Sequence, residues 1–242
     1  MTFASGPAAR LLAIAFPTFH DYAQRHGYEI VVGTADSYDR PPAWGKIPLF
    51  RRLLEAYDFV LWIDADAIIL DPSLDIETVI PKNAYQAFAY TTIWPELGGQ
   101  GYPCTGVWAL RAGERAQRFL AAVWEQHDLV DQHPWEQAAA MRLLGWTGEF
   151  PHQKASDSDW DEGTFVLDEE WDMLPFLPIG YAPGRIRHFA KWSYRRRAFD
   201  MGTDLAGLRG ARARHWAGLL ERRVRPYYWP LTGTLRGRLS RP

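Results

Sequence analysis

Phe59-Val60-Leu61-Trp62-Ile63 is an unbroken apolar run that stops at Asp64-Ala65-Asp66 and resumes as Ala67-Ile68-Ile69-Leu70. An apolar run without alternation is covered on both faces, the condition of a strand inside a parallel α/β sheet. Two carboxylates at the carboxyl end of such a strand sit where open α/β folds place their ligands. If the strand continues regularly, Asp64 and Asp66 point to the same side. Two converging carboxylates repel unless a cation joins them, so Mg²⁺ or Mn²⁺ bridging a diphosphate is the natural hypothesis. The bland alternative is a pair of solvated turn acids, and a bare D-x-D arises often by chance. The apolar lead-in weighs against it.

The rest of the chain narrows the class. With 242 residues, 47% hydrophobic and 23% charged, it can bury a core of one ordinary domain, or of one domain with an appendage. Its single cysteine, Cys104, excludes an intramolecular disulfide framework and a cysteine zinc cluster, and reads as a small buried residue. No apolar run reaches the ~18–20 residues of a membrane span, and Leu11–Phe16 lacks the flanks of a signal peptide. A reducing, cytoplasmic setting is the default expectation. The net charge of −2 conceals a division. Residues 1–184 carry 12 Lys/Arg against 26 Asp/Glu, whereas residues 185–242 carry 15 against 3. A basic end of this kind suggests an anionic partner there.

The pattern along the chain is α/β. A helix through about His26 is closed by Gly27, and Tyr28–Gly33 reads as a buried strand. Helical spacing returns at Pro48–Tyr57, Gly113–Gln126 and Pro134–Leu144, with strand candidates at Ala87–Thr92 and Val107–Leu110. Gly98-Gly99-Gln100-Gly101 forms a loop, beside which Trp94 is a candidate sugar platform, while Trp44 and Trp108 read as core. Ser156–Asp172, with eight acids and no base, reads as a solvated acidic loop. A helix is expected near Leu205–Leu220.

Four blocks in order resemble glycosyltransferase family 34. The first runs from Trp44-Gly45-Lys46-Ile47-Pro48 to Phe59-Val60-Leu61-Trp62-Ile63-Asp64-Ala65-Asp66-Ala67-Ile68-Ile69-Leu70-Asp71-Pro72. The others are Cys104-Thr105-Gly106-Val107-Trp108-Ala109-Leu110-Arg111, Trp135-Glu136-Gln137-Ala138-Ala139 and His188-Phe189. The resemblance covers about residues 20–190. It implies a GT-A nucleotide-diphospho-sugar transferase fold, α/β, with a mixed, mainly parallel sheet flanked by helices. The catalytic domain would be residues 1–200, followed by a basic, aromatic extension over 201–242. Asp64, Asp66 and His188 would hold the ion, usually Mn²⁺ (or Mg²⁺). Thr2 and Ala4 would lie at the base-binding turn after the first strand, most of which is absent here. Lys46 and Lys191 would contact the donor, a UDP-sugar ahead of a GDP-sugar. Glu136 and Gln137 would face the reacting sugar carbon. Retention of anomeric configuration is implied, by same-face attack or by a covalent intermediate on Glu136. Three positions depart from the family: its Asn before Thr-Gly is Cys104, the Gly after the late His-Phe-x is Lys191, and Trp135 stands before Glu136 where plant members have another acid.

Two other readings compete. A haloacid-dehalogenase-type phosphatase also has a strand ending in D-x-D, but nearer the chain start, with a small Thr or Val where Ile68 stands. A non-catalytic sugar- or nucleotide-binding protein of the same fold is the third. The acceptor would be a small molecule, a glycan or a lipid-linked sugar. Glu221–Leu231 mixes arginines with aromatics, as peripheral anchors on anionic membranes do. Alternatively the basic end neutralises the acidic body, or Arg185, Arg187 and Lys191 serve the donor phosphates. No nucleic-acid module accompanies the charge.

Overall fold

The computed structural model describes residues 1–33, 39–91, 101–148, 152–175, 184–190 and 193–207. Met1–Met201 form one compact unit, which contains all the strands and the candidate site; of the second unit, Gly202–Pro242, residues 202–207 are described.

The apolar run is strand β3 (Phe59–Ile63), and its neighbours are apolar on both faces too. With β1 (Thr2–Phe3), β2 (Val32–Gly33), β4 (Ala67–Ile69), β5 (Gln86–Thr91), β6 (Tyr102–Arg111), β7 (Thr164–Leu167) and β8 (Ile186–His188) it builds the strand framework. The central order is β3-β6-β5-β7. β6 pairs antiparallel with β3, Trp62 opposite Trp108 and Ile63 opposite Val107, and antiparallel with β5 on its other edge. β7 lies parallel to β5. The sheet is thus mixed, as expected, but its longest pairings are antiparallel, because β6 runs back along both β3 and β5. β1 pairs parallel with β2, and Ile63 N–H donates to the Met1 carbonyl at 3.1 Å, which sets β1 beside β3. Of the expected strand Tyr28–Gly33, Val32–Gly33 are paired.

Alternate residues of each central strand feed opposite core layers. Val60, Trp62, Phe88, Trp108 and Leu110 join one; Leu61, Ile63, Ala87, Ala89, Val107 and Ala109 join the other. Helices α2 (Lys46–Leu53), α4 (Glu114–Trp124) and α5 (Glu136–Leu143) contribute Phe50, Phe119 and Ala140 to the first layer. The second is capped by α1 (Ala8–His26), whose buried Leu11, Ala15, Phe19, Tyr22 and Ala23 follow helical spacing. α1 ends where Gly27 takes the left-handed conformation, φ +76°, and donates to the Ala23 carbonyl. Trp44 and Trp108 are fully buried core residues.

Two short helices remain: α3 (Ile76–Val79), capped by the Asp75 side chain, and α6 (Tyr194–Leu205). The run 156–172 is not simply a solvated acidic loop: it contains β7 and a 3-10 turn, Glu169–Trp171. Among the described residues no helix is long and apolar enough to cross a membrane. Trp94, Lys191 and nearly all of the expected helix near Leu205–Leu220, with the basic segment 221–231, lie outside the described residues.

Candidate active site

The site is built where β3 gives way to β4. Asp64 N–H still bonds across to the Gly106 carbonyl at 2.8 Å, and Ala67 N–H then turns back to the Asp64 carbonyl at 3.0 Å. The chain therefore bends between the two carboxylates. β8 pairs antiparallel with β4, and this register places His188 opposite Ala67. The next residue, Phe189, donates its backbone N–H to the Asp66 carbonyl at 2.8 Å.

These two turns bring the predicted ligands together. His188 Nε2 lies 3.5 Å from Asp64 Oδ2 and 3.5 Å from Asp66 Oδ1. Asp64, Asp66 and His188 each offer a ligand atom within 4.8 Å of the others. Asp66 and His188 are buried, while Asp64 is partly exposed. Each has a second partner on the side away from this point. Trp62 Nε1 donates to Asp64 Oδ1 at 2.5 Å and Lys46 Nζ to the same oxygen at 3.3 Å. Arg197 Nη1, from α6, donates to Asp66 Oδ2 at 2.7 Å. His188 Nδ1 donates to Asp172 Oδ1 at 2.9 Å. Two carboxylates and one imidazole nitrogen, each oriented from behind, fit a Mn²⁺- or Mg²⁺-sized ion of mixed O/N preference.

The electrostatics of the cluster are those of an ion pair network. Burial works against the Asp66 anion, but His188, then Arg197, overcome it and hold its carboxyl at about 2. Burial likewise opposes charge on His188, while Asp172 and Asp66 raise its pKa well above the ordinary imidazole range. Cys104, Asp172 and His188 form a second group with ligand atoms within 4.8 Å. Here burial, and then Asp172, push the Cys104 thiol up to about 11, so it stays protonated.

Glu136 and Gln137 reach the same region from the first turn of α5. The residue before them, Trp135, is held at φ +58°, a conformation costing a non-glycine residue about 1–3 kcal/mol. Lys46 Nζ lies 2.8 Å from Glu136 Oε1 and donates to the Thr105 carbonyl at 3.1 Å. The Thr105 hydroxyl donates to Glu136 Oε1 at 3.0 Å, and its N–H to Gln137 Oε1 at 3.2 Å. Glu136 Oε2 is buried without a hydrogen-bond partner. Burial raises the Glu136 pKa against the pull of Lys46. For Lys46 burial opposes the charge, but Asp64 and Glu136 together win and raise its pKa. Lys46, at 3% exposure, thus engages Asp64, Glu136 and the Thr105 carbonyl at once rather than opening toward solvent.

Other expectations fall differently. Thr2 is buried in β1, its hydroxyl without a hydrogen-bond partner, and Ala4 follows the strand, half-buried. Arg185 is turned to the acidic body: Nη1 meets Asp71 Oδ2 at 2.7 Å and Nε meets Glu170 Oε1 at 2.9 Å. Internal neutralisation, one of the readings of the basic end, is what this arginine does. Sequence reasoning missed Trp62, Asp172 and Arg197. Asp172 was hidden in an acidic run, yet its side chain is fully buried; the apolar Trp171 and Met173 on either side were the available signal.

Comparison with known proteins bears on the fold and on the first part of the chain. Residues 6–89 match the galactosyl transferase GMA12/MNN10 family. An uncharacterised α-1,2-galactosyltransferase of Schizosaccharomyces pombe is 34% identical over 71 residues, 26% of this chain and 19% of the relative. An α-1,2-galactosyltransferase of the same yeast is 26% identical over 94 residues, 36% of this chain and 25% of the relative. The chain therefore spans a quarter or less of the curated relatives it matches. The crystal structure of a glycosyltransferase involved in glycosylation of the major capsid of PBCV-1 superposes with TM-score 0.63 at 15% identity, covering 84% of this chain and 97% of that one. The galactosyltransferase LgtC, in complex with donor and acceptor sugar analogs, gives TM-score 0.51 at 12% identity over 84% of this chain and 94% of that one. These likenesses do not favour the phosphatase reading. The chain has the GT-A glycosyltransferase fold, and its residues 6–89 carry the signature of the galactosyl transferase GMA12/MNN10 family.

Proposed function

We propose that this chain is a divalent-cation-dependent glycosyltransferase that moves a sugar from a nucleotide-diphosphate donor, a UDP-sugar ahead of a GDP-sugar, to a small-molecule, glycan or lipid-linked acceptor with retention. The carrying observation is the convergence of Asp64, Asp66 and His188, tied through Lys46 to Glu136. The likeness to LgtC, whose structure holds donor and acceptor sugar analogs, supports the class of reaction.

In this reading Asp64, Asp66 and His188 hold the ion. When bound, it supplies Lewis acidity to the leaving diphosphate. Lys46 keeps Asp64 and Glu136 at fixed separation, so that ion and carboxylate act on one donor. Glu136 offers its unpartnered Oε2 to positive charge developing on the sugar ring. Same-face attack and a covalent intermediate on Glu136 both use that oxygen. Gln137, held by Thr105, faces the reacting sugar carbon beside Glu136.

The test is transfer and hydrolysis across a panel of UDP- and GDP-sugars with and without Mn²⁺. Asp66→Ala is expected to abolish turnover and metal-dependent donor binding. Full activity in that variant overturns the proposal.

A further inference from the structure

Asp64 is fixed from one side by a residue to which no chemistry has been given. On a strand, residues two apart project from the same face, and Trp62 and Asp64 follow that rule across the end of β3. The Trp62 ring is packed in the core at 3% exposure, with only its N–H directed at the site. That N–H lies 2.5 Å from Asp64 Oδ1, and Lys46, whose Nζ stands 5.0 Å from the same indole ring, adds its own donor to that oxygen. Rotation about the terminal bond of an aspartate is soft and roughly two-fold. Two donors on Oδ1 remove that freedom and leave Oδ2 as the oxygen beside His188 Nε2.

We propose that Trp62 is a positioning residue for the cation: its indole N–H pins Asp64 by Oδ1 so that Oδ2 alone is presented to the ion. The inference rests on the reading of Asp64, Asp66 and His188 as a cation site. It explains why an indole, rather than a phenyl ring of similar hydrophobic value, stands at this buried position. A buried indole N–H requires a partner, and here the partner is a metal-ligating carboxylate.

The neighbouring strand supplies a matched control. Trp108 lies directly opposite Trp62 in the β3–β6 ladder, is fully buried, and donates its N–H to Gln86 Oε1 at 3.3 Å. Trp62→Phe and Trp108→Phe therefore remove the same atoms from the same core layer, one beside the site and one away from it.

The experiment is a titration of the purified full chain with Mn²⁺, free ion being read by its paramagnetic resonance signal, alongside thermal melts. Trp62→Phe is expected to weaken Mn²⁺ binding by roughly tenfold, the lower end of what removal of an outer-shell partner does. Trp108→Phe is expected to lower the melting temperature and leave Mn²⁺ affinity as in the parent. If Trp62→Phe melts out, benzothienylalanine at position 62 replaces the N–H by sulfur at constant shape, and the same weakening is expected. Unchanged affinity in the Trp62 variant overturns the proposal, as does equal weakening in both variants. A parent chain that does not bind Mn²⁺ overturns the cation-site reading itself, and the inference with it.

Discussion

Asp172 holds His188 from behind, Oδ1 to Nδ1 at 2.9 Å, in a contact where neither side chain is more than 6% exposed. A carboxylate accepts, so Nδ1 is the protonated nitrogen, and Nε2 is left to face Asp64 and Asp66. Asp172 thereby chooses both the tautomer and the direction of the ring. Asp172→Asn keeps the shape and one acceptor but removes the charge. Mn²⁺ affinity is expected to fall by roughly tenfold or more, read by calorimetric titration, with the fold intact by circular dichroism.

Gly106 makes room for that arrangement. A Cβ there would overlap His188 at Cε1 and Nδ1 and come within 3.2 Å of Asp172 Oδ2. Glycine inside a strand often marks such a close approach. Gly106→Ala is expected to destabilise by about 1–3 kcal/mol in urea denaturation and to abolish Mn²⁺ binding. A stable variant with parental affinity would show that the ring can move without cost.

Lys46 neutralises two carboxylates at once. Lys46→Met leaves Glu136, at 2% exposure, without its counter-charge, and removing one partner of a buried pair costs about 3–5 kcal/mol. Glu136→Gln added to that background is expected to restore part of the loss. A double variant no more stable than the single one would mean that the cost comes from packing.

The basic end is partly internal. Arg185→Gln is expected to cost about 1 kcal/mol, since Asp71 and Glu170 are 45% and 39% exposed. Donor affinity, by isothermal titration of the nucleoside diphosphate, is expected to stay unchanged. A tenfold loss would return Arg185 to the phosphates.

Without metal, the stability of the cluster depends on pH in two senses. The pKa of His188 is raised in the folded chain, so its contribution is complete below the unfolded value of 6.5 and is lost as pH rises through the folded one. That of Asp66 is lowered, so its contribution is complete above 3.8 and is lost as pH falls through about 2. Urea denaturation in chelator is expected to give a plateau between about pH 4 and 6.5, falling on either side. His188→Gln is expected to flatten the alkaline limb.

What was legible in the sequence was local. The run Phe59–Ile63 announced a two-faced buried strand because every one of its residues is apolar, and Gly27 announced the end of α1. The D-x-D spacing marked Asp64 and Asp66 as a pair, but a turn closed by Ala67 N–H on the Asp64 carbonyl, rather than a continued strand, brings them together, and His188 needed the order of four blocks. What stayed hidden depends on pairing between distant segments. β4 and β8 are three residues each, too short for a period to be read, and their register is what sets His188 beside Asp66. Asp172 lay in an acidic stretch whose other members stay largely near solvent, so composition spoke for the average rather than for the buried one. The resemblance set Lys46 against the donor; its contacts to Asp64, Glu136 and the Thr105 carbonyl depend on distant segments and could not be read from its own stretch of sequence.

The short β4–β8 pairing also fixes when the site can exist. Arg197 and Asp66 are 131 residues apart in the chain, and His188 joins Asp66 only after the whole central sheet has been laid down. As the polypeptide leaves the ribosome, the two aspartates emerge long before the imidazole that completes their set. A nascent chain halted before residue 186 would hold β3 and β6 but lack the imidazole of the Asp64, Asp66 and His188 cluster. If Asp64, Asp66 and His188 hold a cation as proposed, the ion would act as a late clasp, favouring closure of the long loop between β4 and β8.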